Sequence, residues 1–513
     1  MPSSIRTSFI YYLVLLALHI GLLWWRPYFP TQDGPSHLYN LLILHDLLNG
    51  GKEWGPFFTH HLRPVPNLGF HIVAYPLLGF FSPLILEKLF VSIYIVLMGV
   101  SVPIFLRAFD RQIFPFAFLV FPAVFNFNLF MGFYSYVIAV PLFLMAISFA
   151  WKIRNTSACY KFVCLNLAGF ILFYCHLIPF VFFLISLTAA SVADATNWKK
   201  MLGNLTRLFI TISPLLVIFF LYQVKSLKGP HLDLTYLSSL PRFVDLTAHL
   251  FLFSTANFSP LQLIPSALLM FVFLFFLRSF GHDAFKALRR MGPNTPGIPA
   301  SEKTLILLAL ILVVIYFAAP FRFGEGSYFN QRFPWVIFLV MLPLLRVPAG
   351  VISGRFATAI IMAAVILVFV FNSIVMRQES AKVGEFLRGL NTGPPRGAFV
   401  MAYKTKFPEW SNIDVLRHAA SYYGIYNGCV DLGNYEAGLP YFPVQFRKTL
   451  PALPSQDQVE YDPAKIRWSL YPCIRYIFGW DLETGERIKL GKEFDIIRED
   501  GRLTIWQRNL APS

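Results

Sequence analysis

Apolar residues run almost unbroken from 8 to 25, with His19 the one strongly polar interruption. At about 1.5 Å per helical residue, this stretch crosses most of a bilayer. Ten further stretches of the same character follow, at 86–106, 113–130, 134–151, 162–177, 178–192, 205–222, 261–277, 305–319, 333–345 and 356–375. Several carry a proline (Pro103, Pro122, Pro141, Pro179, Pro214, Pro343). Membrane helices tolerate this where neighbouring groups satisfy the freed carbonyls. Beyond 377 the pattern changes. Short segments at 398–403, 429–432, 441–446, 476–480 and 494–507 predict strands, and Asp500-Gly501 predicts a hairpin turn between alternating segments. The stretch 67–81 has two readings, a re-entrant or surface helix and a full crossing.

Composition supports this picture. Of 513 residues, 56% are hydrophobic and 17% aromatic, and only 14% are charged. A soluble domain carries about 25% charged residues. The first stretch ends in Leu-Leu-Trp-Trp-Arg-Pro, with no small-residue cleavage site, and reads as an uncleaved anchor. The 55 Phe are expected as lipid-facing and core packing. The net charge of +16 argues for loops held on the cytoplasmic side, and no soluble basic stripe offers itself to nucleic acid. If 67–81 does not cross and the N-terminus is inside, loops 107–111, 152–161, 194–207, 278–303 and 346–355 share one side with Arg6. They then hold most of the loop Lys and Arg, as the positive-inside rule requires.

The expected fold is therefore a polytopic α-helical protein of the inner (cytoplasmic) membrane with about eleven transmembrane helices. Residues 1–376 form the membrane part, with a first outer loop at 27–85. Residues 377–513 form a small extracytoplasmic domain, α/β or mostly β. Cys159, Cys164 and Cys175 fall in or near a span as apolar fillers, whereas Cys429 and Cys473 both fall in the outer domain, where a disulfide is chemically permitted.

Candidate chemistry gathers at the outer ends of the spans. The first outer loop holds Asp33, His37, His60, His61 and Arg63. Asn126, Asn128 and Tyr134 sit at the outer tip of the third and fourth spans, with His176 at the end of the fifth. The loop after Ala319 carries Arg322, Glu325, Tyr328 and Arg332. Ionisable groups at membrane depth are costly and mark functional cavities by default. Asp33 has two readings: a base, and a cap for the helix that Gly34-Pro35 begins. His37, one turn along, either shares that site or faces solvent. Adjacent His60 and His61 point oppositely on an extended chain and do not suggest a shared metal. Arg322 and Arg332 read as phosphate contacts or as snorkelling side chains. Glu87-Lys88 reads as a local ion pair. Glycine-rich nucleotide loops, zinc-spaced Cys/His sets and hydrolase motifs are absent from the sequence.

Three strings, Asp33-Gly-Pro-Ser-His37, Phe130-Met-Gly-Phe-Tyr-Ser-Tyr136 and Ser327-Tyr-Phe-Asn-Gln-Arg-Phe333, together with the layout of the membrane part, resemble the C-type (GT-C fold) membrane glycosyltransferases. The first string resembles that family's outer-loop acidic motif, although Gly34 stands where many members have a second carboxylate. The last resembles its late-span arginine segment. The resemblance implies inverting transfer of a sugar from a polyprenyl-phosphate-linked donor to a glycan, lipid or protein acceptor at the outer face. Asp33 would be the general base, assisted by His37, with Arg322 and Arg332 on the donor phosphate. The cofactor is left unassigned, since no motif indicates a divalent metal. Two other readings stay open: a transporter or flippase of a lipid-linked glycan, and a catalytically inactive assembly protein of the same fold.

Overall fold

The computed structural model describes residues 3–61, 65–109, 111–226, 234–236, 238–252, 263–289, 298–323, 326–348, 350–392, 396–403, 413–439, 442–451, 453–454, 459 and 463–509. The chain is mostly helical. It opens with α1 (Ser3–Trp24), α2 (Gly34–Leu48), α3 (Gly69–Ala74) and α4 (Pro83–Ala108). Two very short helices, α5 (Val120–Val124) and α6 (Phe127–Phe130), lead into α7 (Tyr134–Ile153), α8 (Ala158–Cys175) and α9 (Leu177–Ala193). Then come α10 (Trp198–Thr211), α11 (Ser213–Ser226), α12 (Ser239–Leu250), α13 (Leu263–Arg289), α14 (Ala300–Ala318), α15 (Phe333–Met341) and α16 (Gly354–Phe386).

Among the described residues, seven helices are long and apolar enough to cross a membrane. The bent pair α10–α11 adds an eighth if it is one span. This corrects the expectation of about eleven, for local reasons. The stretch 113–130 breaks into a 3-10 turn (Phe116–Leu119), α5 and α6, because the backbone leaves the helical region at Phe125 and turns extended at Asn126. The stretch 333–345 gives only nine residues of α15 before a 3-10 turn containing Pro343. Helix α9, at 17 residues, is a short apolar helix, and α10 and α11 meet at 69°. The stretch 67–81 holds only α3 and a 3-10 turn (Tyr75–Leu77), too short to span a bilayer. Helix α7 lies at the centre, 72% of its span buried. Helix α1 is peripheral at 28%, its exposed Phe9, Ile10, Leu13 and Leu18 suited to lipid.

The bundle has two distinct ends. At one, Glu302 at the start of α14 binds both Arg346 (2.9 Å) and Arg111, just past α4. At the other, the end of α1 meets the starts of α4 and α7, and the C-terminal part sits on top. That part holds a five-stranded sheet ordered β5-β4-β7-β9-β8. Its strands are β4 (Ala398–Tyr403), β5 (Val430–Asp431), β7 (Tyr476–Trp480), β8 (Phe494–Asp500) and β9 (Leu503–Arg508). Strand β4 runs parallel to both neighbours, with Phe399 opposite Tyr476. β8 and β9 form the anticipated hairpin, turning at Gly501 (φ +61°).

The loop after α2 does not stand apart from this sheet. Strand β1 (Phe58–His60) pairs with β6 (Val444–Phe446). Tyr39, Ile43 and Leu44 of α2, with Trp54 and Phe58, share one hydrophobic core with Ala398, Val400, Ile477 and Trp506. Helix α16 runs unbroken past residue 376 to Phe386, whose ring packs on Tyr423 and Trp480.

The proposed Cys429–Cys473 disulfide is corrected: both are free thiols. Cys429 precedes β5 and Cys473 precedes β7, with β4 between those strands. Two strand spacings, roughly 9–10 Å, exceed the Cα separation a disulfide bridges.

Candidate functional site

Two of the three strings that carried the resemblance lie against each other. The Gln32 and Asp33 N–H groups donate to the carbonyls of Phe130 (2.9 Å) and Met131 (3.1 Å). Gly132 permits this approach: its φ is +82°, and a Cβ there would lie 2.7 Å from Gly34 N and 3.0 Å from Asp33 Cβ. Asn126 sets the turn. Its side chain accepts from the N–H groups of Asn128 (2.9 Å) and Leu129 (3.2 Å), capping α6, and donates to the Ala123 carbonyl. Asn128 is buried beside it.

Asp33 stands at the start of α2, as its capping reading required, but its side chain makes no capping hydrogen bond. It is buried. Gln32 Nε2 donates to its Oδ1 at 3.2 Å, while Gln32 Oε1 accepts from the Asp414 N–H, which fixes the orientation of the carboxamide. His418 Nε2 lies 3.5 Å from the same Asp33 oxygen. One turn on, His37 pairs with Glu436 (Nδ1 to Oε1, 2.9 Å) and packs against Tyr134 and Phe70. Two carboxyl–imidazole pairs thus bridge α2 to the C-terminal part, one imidazole coming from each side.

Burial sets the electrostatics. It raises Asp33 to about 6, against the lowering pull of His37, Gln32 and Arg417. Burial opposes the charged form of His37, but the Glu436 and Asp33 carboxylates outweigh it and leave His37 above its ordinary value. Burial, reinforced by Arg417 and His37, holds His418 well below, so its imidazole is neutral. Buried His71 is lowered to about 4 for the same first reason.

Below Gly34 lies a second buried carboxyl group, Glu87, which receives the Tyr134 hydroxyl at 2.5 Å and the Tyr422 hydroxyl at 3.4 Å. A Cβ at Gly34 would meet Thr31 Oγ1 at 2.2 Å and Glu87 Oε1 at 2.5 Å. The Glu87–Lys88 ion pair is therefore corrected. Glu87 turns inward, and Lys88 turns to the Arg26 carbonyl and the Trp24 ring.

The remaining candidates divide. Arg332 lies over the Phe133 ring at 4.2 Å, and its Nη1 donates to the Tyr328 carbonyl (3.2 Å). Tyr136 donates its hydroxyl to the Arg332 carbonyl. Tyr328 (φ +62°) packs its ring among Phe127, Phe133 and Phe321. Arg322 is exposed, with Nε on Ser327 Oγ at 3.3 Å. His176 caps α9, its Nδ1 accepting from the Ile178 N–H, with its ring on Tyr136. His60 lines a separate groove with Arg447. His61, exposed next to it, donates its N–H to the Pro443 carbonyl. Arg63 and Glu325 lie outside the described residues.

Sequence reading missed Arg417, His418, Asp431 and Glu436. Arg417, His418 and Asp431 line a cavity of about 240 Å³ beside Asp33, and Glu436 closes the His37 pair. The only local cue was the polarity of the segment that carries them. Among the described residues, no group of three or more His, Cys, Asp or Glu is arranged to hold a metal ion. No protein-family model matches the chain, and no curated protein does either.

Proposed function

We propose that this chain is an integral membrane glycosyltransferase that moves a sugar from a polyprenyl-phosphate-linked donor to a hydroxyl acceptor, with inversion. The observation that carries this reading is the setting of Asp33. It is a carboxyl group with its basicity raised by burial, its orientation fixed by Gln32, and a cavity with both polar and apolar walls beyond His418. A general base works best with a pKa near the operating pH. The acceptor oxygen forms a bond to the anomeric carbon and its proton passes to Asp33. The bond from that carbon to the phosphate oxygen breaks, and its electron pair leaves with the phosphate. Arg332, over the ring next to Gly132, is the cation proposed for that leaving charge, with Arg322 further out. The basic end of the bundle, with Arg111 and Arg346, suits the cytoplasmic side, which would put Asp33 outside.

The test compares Asp33→Asn with wild type in proteoliposomes supplied with labelled polyprenyl-phosphate sugars. Loss of transfer by roughly 10²–10⁴-fold is expected on removing the base, with unfolding temperature maintained. Retained turnover would remove Asp33 from the chemistry.

A further inference from the structure

A cavity lies beside His418, which lines it. At about 240 Å³ it holds about eight waters at roughly 30 Å³ each. That is room for one ring-sized group. Its lining is more apolar than polar, and its polar groups include both signs of charge. Arg417, Asp431 and Asn434 all line it, and Tyr435 supplies an aromatic surface. Val400 and Leu432 add apolar wall. The polar groups are built in. The Asp431 carboxylate accepts from Ser421 Oγ (2.8 Å) and the Gly433 N–H (2.9 Å), one donor to each oxygen, which leaves further lone pairs. Asn434 exchanges two side-chain hydrogen bonds with Asn40 of α2, both 2.9 Å, so the cavity is tied to the helix that begins at Asp33. Tyr435 lies against the His418 ring at 4.8 Å.

A charged ligand would meet a like charge here, Asp431 for an anion and Arg417 for a cation. A neutral ring edged with hydroxyls and having one apolar face satisfies both. We infer that the cavity is the seat of a carbohydrate acceptor, holding its terminal sugar with a hydroxyl turned towards His418 and Asp33. The inference rests on the glycosyl-transfer reading for the word acceptor, and it selects a glycan over a lipid or protein acceptor. Transfer lengthens that glycan by one residue, so the reaction class that supplies its acceptor is an earlier glycosylation.

Gly438 offers a clean test. It lines the cavity, and a Cβ added to it meets no atom within 4 Å. Gly438→Leu therefore places a bulky side chain at the exposed rim of the cavity without disturbing the wall. Methyl glycosides are titrated against the full chain in nanodiscs, with saturation-transfer NMR as the readout and unfolding temperature as the folding control. Glycoside binding is expected in wild type. It should weaken roughly tenfold or more in Gly438→Leu and in Arg417→Gln, and Arg417→Lys should recover part of it. Equal binding by Gly438→Leu overturns the inference. So does transfer to a lipid or hydroxyl-bearing peptide that Gly438→Leu leaves intact, an outcome in which glycosyl transfer itself stands. Blockable glycoside binding without transfer from any polyprenyl-phosphate sugar leaves a carbohydrate site and defeats the glycosyl-transfer reading instead.

Discussion

At the residue scale the site depends on one acid and two glycines. Asp33 ionises at about 6, above the ordinary carboxylate range, so transfer should rise with pH through about 6 and level off above it. Stability should run the other way. A carboxyl group whose folded value is raised binds its proton more tightly in the fold, so its contribution is present at low pH and fades as pH rises from about 4 to 6. Asp431, also raised by burial to about 6, adds a slope of the same sign. Asp33→Asn should remove only its own share, flattening the dependence of unfolding temperature on pH over that window. An unchanged slope would mean that Asp33 titrates normally. Gly132 is the second test. Gly132→Ala forces a side chain into left-handed backbone, costing about 1–2 kcal/mol, and drives a methyl into Gly34 N. It should lower both the unfolding temperature and transfer, whereas Gly21→Ala in α1, with open space around it, should do neither.

At the element scale, what was legible follows from what is local. Strands 398–403 and 476–480 fall where expected, because each is a short apolar run buried along its whole length in one sheet. Asp33 and His37 stood out because a carboxylate and an imidazole follow directly on a span. The span count was not legible, because hydropathy measures apolar length and not helical continuity. Residues 113–130 are apolar throughout, yet Asn126 breaks them to start a new helix. That break aims Gly132 at Asp33, so the misread element is the one that builds the site. Asn126→Ala should therefore cost about 1 kcal/mol or somewhat more as a lost cap, and also reduce transfer by displacing Gly132. Asn128→Ala, which removes a buried oxygen with no hydrogen-bond partner among the described residues, should cost less. Paired thermal melts and turnover assays separate the two.

At the scale of the whole molecule, the partners of Asp33 and His37 come from some 380–400 residues further along the chain. No local pattern announces such a meeting. It follows from α2 and β1 sharing a core and a strand pairing with the C-terminal sheet. The site is thus built between two parts of the chain, and its sidedness follows that of the whole bundle. Lys52, exposed beyond α2, lies at the site end, and Asn155, exposed beyond α7, lies at the other. That second end carries Arg111 and Arg346 on Glu302, with Lys152 and Arg154 closing α7, and it is the end that the positive-inside rule would assign to the cytoplasm. In a background with the five native cysteines replaced, Lys52→Cys should react with an impermeant maleimide in intact cells. Asn155→Cys should react only after permeabilisation. The reverse pattern would put Asp33 on the cytoplasmic face and require a donor presented there. Labelling of both from one side would break the assignment of opposite ends, and with it the use of the charge rule to place the site.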